Sequence, residues 1–265
     1  MRTNQIISYK KCIYSFAIAT DIKSAIAYLK TRPTISKQNI GLIGHSEGGM
    51  IAPMVAARSK DVSFIVMLAG PGMPGGELML LQKELIDRAD GIPEDVILRS
   101  KEINAKLIDI VMKSDNGEEL KKKITDAAIA AYKTDTTVRF LLDQKSSDIA
   151  NILTNPSVQY AIKYNPEHDL KKVKCPLLAL NGEKDLQVPP AENLAGIEKE
   201  LKSRKNKNFT IKQMTGMNHL FQECNNGSLS EYFTNPQTFS PIALTEISAW
   251  ILKQTKRKVI KNNDR

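Results

Sequence analysis

Apolar positions along the chain follow two alternating periods. Ile22, Ala25, Ile26 and Leu29 fall at helical spacing and predict a helix over residues 21–30, closed by Pro33. Residues 39–43 form a short apolar run ending at Gly44. Residues 49–59, rich in small and apolar side chains, predict a helix that carries Pro53 near its start, where a missing N–H is best tolerated. Residues 62–69 are apolar apart from Ser63 and have β-branched members, the pattern of a strand buried on both faces. A Gly/Pro loop follows over 70–76. From residue 77 the period changes. Leu78, Leu81, Leu85 and Ile86, then Ile103, Leu107, Ile108 and Val111, then Ile124, Ala127, Ala128 and Ala131 predict amphipathic helices, with no clear strand before His168. The first rhythm then returns: a strand over 176–180, a helix over 190–201, a strand over 209–214, and a last helix over 241–253 whose Trp250 should pack on the sheet.

Strand–helix alternation with two-sided apolar strands predicts an α/β fold with a mostly parallel sheet and flanking helices. The helical block over 77–168 reads as a cap inserted between two strands of a single domain spanning 1–265. The length of 265 residues, 42% apolar and 25% charged, fits a globular domain and excludes collagen or long disorder. The longest apolar runs, such as 64–69, fall far short of the roughly 20 residues of a membrane span. The net charge of +9 comes mostly from lysine, with dense runs at 121–123 and 253–261. It accompanies no zinc-finger spacing and no basic motif interleaved with aromatics, so it reads as a solvated surface and not as a nucleic-acid site. Cys12, Cys175 and Cys224 lack metal-type spacing and read as free thiols of a reducing compartment. The first residues show no secretory signal. Together these point to the cytoplasm, a reading that a leader on a longer parent chain would change.

The chemistry concentrates in Gly44-His45-Ser46-Glu47-Gly48-Gly49, between a predicted strand and a predicted helix. G-x-S-x-G in that context is a nucleophile elbow: a sharp turn flanked by small residues that exposes the Ser46 hydroxyl at a strand's carboxyl end. The bland alternative is a tight turn in which serine makes a local hydrogen bond. A serine nucleophile needs a base, and the chain has three histidines. His45, beside Ser46, should point elsewhere and reads as structural. His168 reads as a loop residue at the end of the cap. His219, in a loop after the strand over 209–214, is the base by elimination and by position. The acid that fixes the base's tautomer should come from the loop after the strand over 176–180, with Asp185 preferred and Glu183 as the fallback. Ser46, Asp185 and His219 then stand in the chain order of the α/β-hydrolase triad.

GHSEGG, then FIVMLAGPG, a helical block, VKCPLLALNGEKDLQVPPAENL and GMNHLFQ together resemble the bacterial α/β-hydrolases described as serine-aminopeptidase-like hydrolases or carboxylesterases. The resemblance runs from about residue 20 to about residue 253. It implies an α/β-hydrolase fold and acyl transfer from a small-molecule ester or short peptide through an acyl-enzyme on Ser46. His219 would be the general base, Asp185 its orienting acid, and the Glu47 backbone N–H one oxyanion donor. The Glu47 side chain should face outward, and Gln187 and Val188 should pack around the acid loop. No metal or cofactor is implied. Peptidase and thioesterase activity remain open, as does a non-catalytic remnant. Only 43 residues precede Gly44, none of the first 40 is glycine, and no H-G-type oxyanion loop lies upstream. The expectation is therefore a hydrolase lacking its first strands.

Overall fold

The computed structural model describes residues 14–114, 117–134, 146–203 and 206–263; Cys12 and residues 135–145 of the helical block lie outside them. In chain order the elements are α1 (Tyr14–Thr31), β1 (Leu42–His45), α2 (Glu47–Ala56), β2 (Ile65–Leu68), α3 (Gly75–Ala89), α4 (Glu94–Lys113), α5 (Glu118–Thr134), α6 (Ser146–Leu153), α7 (Pro156–Lys163), α8 (Glu167–Leu170), β3 (Leu177–Gly182), α9 (Pro190–Ser203), β4 (Phe209–Met214), α10 (Glu231–Thr234) and α11 (Pro241–Asn263).

The four strands form one sheet in the order β1-β2-β3-β4, every pair parallel. Leu42 pairs with Ile65, Ile65 with Leu177, and Leu177 with Phe209, so the strands start in register. β2 and β3 are the central strands and are buried throughout, while β1 and β4 at the two sides are partly exposed. Phe64, Val66, Leu68, Leu178, Leu180 and Met214 pack with Ala243, Ile247 and Trp250 of α11. On that face the Trp250 ring meets Phe64 edge-on and its indole N–H donates to the Thr210 hydroxyl at 3.1 Å, so the buried polar atom is satisfied. Helix α2 packs on β1 and β2, and α9 on β3 and β4. Several strand bounds lie one to three residues from those the pattern predicts. The apolar runs at 39–41 and 62–64 are lead-ins to the strands, and regular pairing starts only at Leu42 and Ile65.

The chain divides into two compact units, one comprising 1–73 and 166–265, the other 74–165. The second is helical among its described residues. Its core includes four of the positions the 3.6-residue period picks out, Leu107 and Val111 of α4 and Ile124 and Ala128 of α5, together with Leu120 of α5, Ile149 and Ala150 of α6 and Ile162 of α7, whereas Leu78, Leu81, Leu85 and Ile86 of α3 are only half-buried. The Lys121–Lys123 run lies on α5, where Lys122 and Lys123 form i,i+4 pairs with Asp126 and Glu119 at 2.7 Å. Such exposed pairs contribute little, so burial holds this unit together. Ile124 is fully buried. Ile124→Ala is expected to cost about 2–5 kcal/mol of this unit's stability, read from its urea midpoint. A loss under about 1 kcal/mol would contradict this packing.

Candidate active site

Because all four strands are parallel, the carboxyl ends of β1, β3 and β4 line one edge of the sheet. That is the edge where open α/β sheets place their ligands. Ser46 follows β1, Asp185 follows β3 and His219 follows β4.

Ser46 holds φ 54° and ψ −114°, a conformation few non-glycine residues adopt. The turn is fixed on both sides. The Ser46 N–H donates to the Leu68 carbonyl at 2.9 Å, and the Ser46 carbonyl accepts from the N–H groups of Gly49 at 2.9 Å and Met50 at 3.3 Å. The serine side chain makes no capping bond to the helix it precedes, so local hydrogen bonding does not account for it. The first amides of α2, those of Glu47 and Gly48, have no intrahelical acceptor and carry the positive end of the helix dipole. The Glu47 side chain is exposed, as expected, and accepts a bond from the buried Ser15 hydroxyl of α1 at 2.7 Å.

The glycines of the motif are not equivalent. A Cβ on Gly44 would stand 2.0 Å from the Gly48 carbonyl oxygen, and one on Gly49 2.6 Å from the Gly70 Cα. One on Gly48 would meet nothing within 4 Å among the described residues. The expectation that both flanking glycines must be small is thus corrected. Gly44 is required and Gly48 is not, because the helix start rises over Gly44 and leaves Gly48 on the open side. Gly44→Ala is expected to cost about 3 kcal/mol or more in thermal unfolding, and Gly48→Ala less than about 1 kcal/mol. Equal costs would contradict this geometry.

Asp185 is buried, and both its oxygens accept hydrogen bonds. Oδ1 takes the backbone N–H groups of Gln187 at 2.9 Å and Val188 at 2.8 Å. Oδ2 takes His219 Nδ1 at 2.9 Å and Asn181 Nδ2 at 3.3 Å. Residues expected to be packing therefore orient the carboxylate through their amides. Glu183, two residues earlier, turns its carboxylate away and accepts the Gly216 N–H at 2.8 Å. The acid and base loops are laced together: the Glu183 N–H donates to the Met214 carbonyl and the Lys184 N–H to that of Met217, both at 2.9 Å. Gly182 permits this approach, since a Cβ there would sit 2.3 Å from the Met217 oxygen and 2.5 Å from that of Asn218.

The base loop has its own frame. Asn218 Oδ1 accepts from the N–H groups of Leu220 at 2.9 Å and Gln222 at 3.0 Å. Phe221, fully buried with φ 58°, stacks on Phe239. His219 is itself buried. An Nδ1–H donating to Asp185 leaves Nε2 as the imidazole's acceptor. Among the described residues the Ser46 hydroxyl and His219 make no direct hydrogen bond. Tyr232 stands next to this group. Its hydroxyl accepts from Gln187 Nε2 at 3.1 Å, and burial pushes its pKa up to about 12, keeping the phenol neutral.

His45 turns to the loop that carries His219. Its Nε2 lies 2.8 Å from the His219 carbonyl oxygen, and the two rings stand 4.7 Å apart. Part of the residue is exposed to solvent, yet burial of the ring lowers its pKa below the ordinary 6.5. The hydrogen bond to the His219 backbone opposes that shift, the His219 ring adds to it, and the Asp185 charge opposes it. A histidine depressed in the folded state contributes stability in full above the unfolded value. That stability is lost as pH falls through the lower folded value. Between about pH 7.5 and 5.5 the urea midpoint of the wild type is expected to drop further than that of His45→Gln; equal drops would exclude this contribution.

The remaining candidates lie elsewhere. His168 is on α8, at the opposite edge of the sheet, lining a groove of about 910 Å³ with Lys171, Lys172 and Lys207. A second groove there, of about 790 Å³, is lined by Lys37, Arg58, Lys60 and Lys174. Part of the positive charge that looks dispersed along the chain thus gathers away from Ser46. Cys175 and Cys224 are both half-buried, and neither belongs to the group of Ser46, Asp185 and His219.

Residues 22–163 match the family described as BAAT / Acyl-CoA thioester hydrolase C terminal, and residues 124–235 match the prolyl oligopeptidase family. The first match contains Ser46, the second Asp185 and His219. Over 236 residues the chain is 23% identical to esterase EstD of Thermotoga maritima, covering 89% of this chain and 48% of that protein. The chain thus spans about half the length of the curated relative it matches. Among solved structures it is similar to a Paleococcus ferrophilus monoacylglycerol lipase, at 18% identity and a TM-score of 0.45, over 91% of this chain and 76% of that one. It is also similar to Est1E from Butyrivibrio proteoclasticus, at 16% identity and a TM-score of 0.45, over 91% of this chain and 71% of that one.

Proposed function

The chain belongs to the family described as BAAT / Acyl-CoA thioester hydrolase C terminal, within the α/β-hydrolase superfamily, and we propose that it is a serine hydrolase that cleaves carboxylic esters. The observation that carries this reading is the buried 2.9 Å bond from His219 Nδ1 to Asp185, on the same sheet edge as a strained, uncapped serine. Asp185 holds the imidazole in the tautomer whose Nε2 accepts a proton, and stabilises the imidazolium once it forms. The Ser46 oxygen attacks the ester carbonyl carbon as His219 takes the hydroxyl proton. The tetrahedral oxyanion meets the Glu47 N–H at the start of α2, where the helix dipole favours negative charge. His219 returns the proton to the leaving alcohol. Water, deprotonated by the same nitrogen, then releases the acid from Ser46.

The family description favours a second reading, hydrolysis of acyl thioesters, which uses the same three residues with a thiol leaving group. The match to the prolyl oligopeptidase family over 124–235 favours a third, peptide bond cleavage.

A fluorophosphonate probe, which phosphonylates activated serines, tests the shared chemistry. Labelling of the folded chain at Ser46 is expected. A folded chain that takes no label supports the non-catalytic reading instead. Turnover of p-nitrophenyl esters, acyl thioesters and aminoacyl anilides then separates the three substrates; the ester reading requires the highest kcat/KM on the ester.

A further inference from the structure

His45 sits between Gly44 and Ser46 and reaches the loop that carries the base. The contact spans 174 residues of sequence. It also crosses the sheet, since β1 and β4 are its two outer strands. At the ordinary strand spacing their ends are roughly 14 Å apart, so the loops that follow must lean toward each other to meet. We propose that His45 is a positioning residue: its Nε2–H ties the His219 peptide to the elbow and thereby sets where the His219 imidazole stands relative to the Ser46 hydroxyl. This deepens the serine-hydrolase reading and rests on it.

The hydrogen bonds around the base explain why such a tie is needed. Asp185 grips the imidazole at Nδ1 alone, and a ring held at one atom can pivot there. Its outer nitrogen is located only when the backbone that bears it is also held. The other described bonds of that loop run within it, to the acid loop or to residues 237–240: the Met214 and Met217 carbonyls accept from Glu183 and Lys184, Asn218 is bonded to Leu220 and Gln222, the Phe221 carbonyl accepts from the Ser240 N–H, and the Gln222 side-chain amide donates to the Gln237 carbonyl. Among the described residues, His45 supplies the hydrogen bond that joins the base loop to the nucleophile's turn.

The chemistry of the donor follows from its acceptor. A carbonyl oxygen only accepts, so Nε2 of His45 carries the proton. The titratable groups that face the ring are His219, from the loop after β4, and Asp185, from the loop after β3. A cation at residue 45 would compete for the Asp185 charge and oppose formation of the His219 imidazolium. A neutral N–H donor serves both needs. Glutamine keeps such a donor at similar reach, whereas methionine keeps the length and removes it.

The test uses the full chain with His45→Gln and His45→Met, and reads three quantities: the rate of fluorophosphonate labelling at Ser46, kcat and KM on p-nitrophenyl acetate, and the melting temperature. Displacement of a reacting group by about 1 Å costs on the order of 100-fold. His45→Met is therefore expected to slow labelling and kcat by about 10- to 100-fold, with KM changed less than about 3-fold. His45→Gln is expected to recover most of that loss. Should His45→Met lack a cooperative melt, His45→Phe repeats the comparison with a ring in place. A donor-free variant at the wild-type rate, or a glutamine variant as slow as methionine, overturns the proposal while Ser46 labelling of the wild type leaves the serine-hydrolase reading standing. Absence of wild-type labelling overturns both.

Discussion

Replacing Ser46 with alanine is expected to abolish fluorophosphonate labelling and to lower ester turnover by about 10⁴- to 10⁶-fold, with the fold retained. The size follows from losing the atom that would form the acyl-enzyme; only binding and oxyanion stabilisation would remain. Retention of the fold follows from the structure, in which the Ser46 hydroxyl caps nothing and the turn is held by backbone bonds to Leu68, Gly49 and Met50. A second variant separates strain from chemistry. With φ at 54°, Ser46 sits where glycine is at ease. Ser46→Gly is expected to be as inactive as Ser46→Ala and more stable than it by about 1 kcal/mol, measured by urea unfolding at neutral pH. An inactive but destabilised glycine variant would mean that the turn carries no strain. A Ser46→Ala protein with wild-type turnover would remove Ser46 from the mechanism.

The second large effect is expected at Asp185. Asp185→Asn keeps an oxygen that can accept from Gln187 and Val188, so the acid loop should hold its shape. The new amide nitrogen, however, would face His219 Nδ1 as a donor. The imidazole would then present its acceptor to that amide and its N–H to Ser46, which is the wrong tautomer for a base. A fall in kcat of about 10⁴-fold at neutral pH is expected, with KM little changed. Glu183→Gln, at a carboxylate that serves the Gly216 N–H and not the imidazole, is the contrasting variant, expected to change kcat by less than about 3-fold. If Glu183→Gln were the crippling change and Asp185→Asn the mild one, the assignment of the acid would be reversed.

The local patterns carried much of this architecture. Strands β2 and β3 fall on apolar runs, β1 and β4 lie within three residues of the segments the pattern picks out, and α4 and α5 bury Leu107, Val111, Ile124 and Ala128, positions that a 3.6-residue period selects. The strand–turn–helix around Ser46 was legible for the same reason, since G-x-S-x-G between a strand and a helix is a short-range constraint. Its finer steric content was not. The motif reads the same at Gly44 and Gly48, and only the path of α2 over one of them distinguishes a required glycine from a free one. The acid loop shows a similar limit. Glu183 and Asp185 are chemically alike and two residues apart, and the turn after β3 directs one to Gly216 and the other to His219.

By itself the sequence determined the order of strands and helices, the candidate serine, and the small set of histidines and carboxylates that could serve it, because each rests on residue type and on spacing within a few positions. Tertiary structure decided which carboxylate faces the imidazole, how Gln187 and Val188 hold that carboxylate, why Gly182 must be small, and that His45 reaches the base loop. Those are contacts between loops brought together by parallel strand pairing. Nothing in the spacing of residues 45, 185 and 219 along the chain encodes the distances between them.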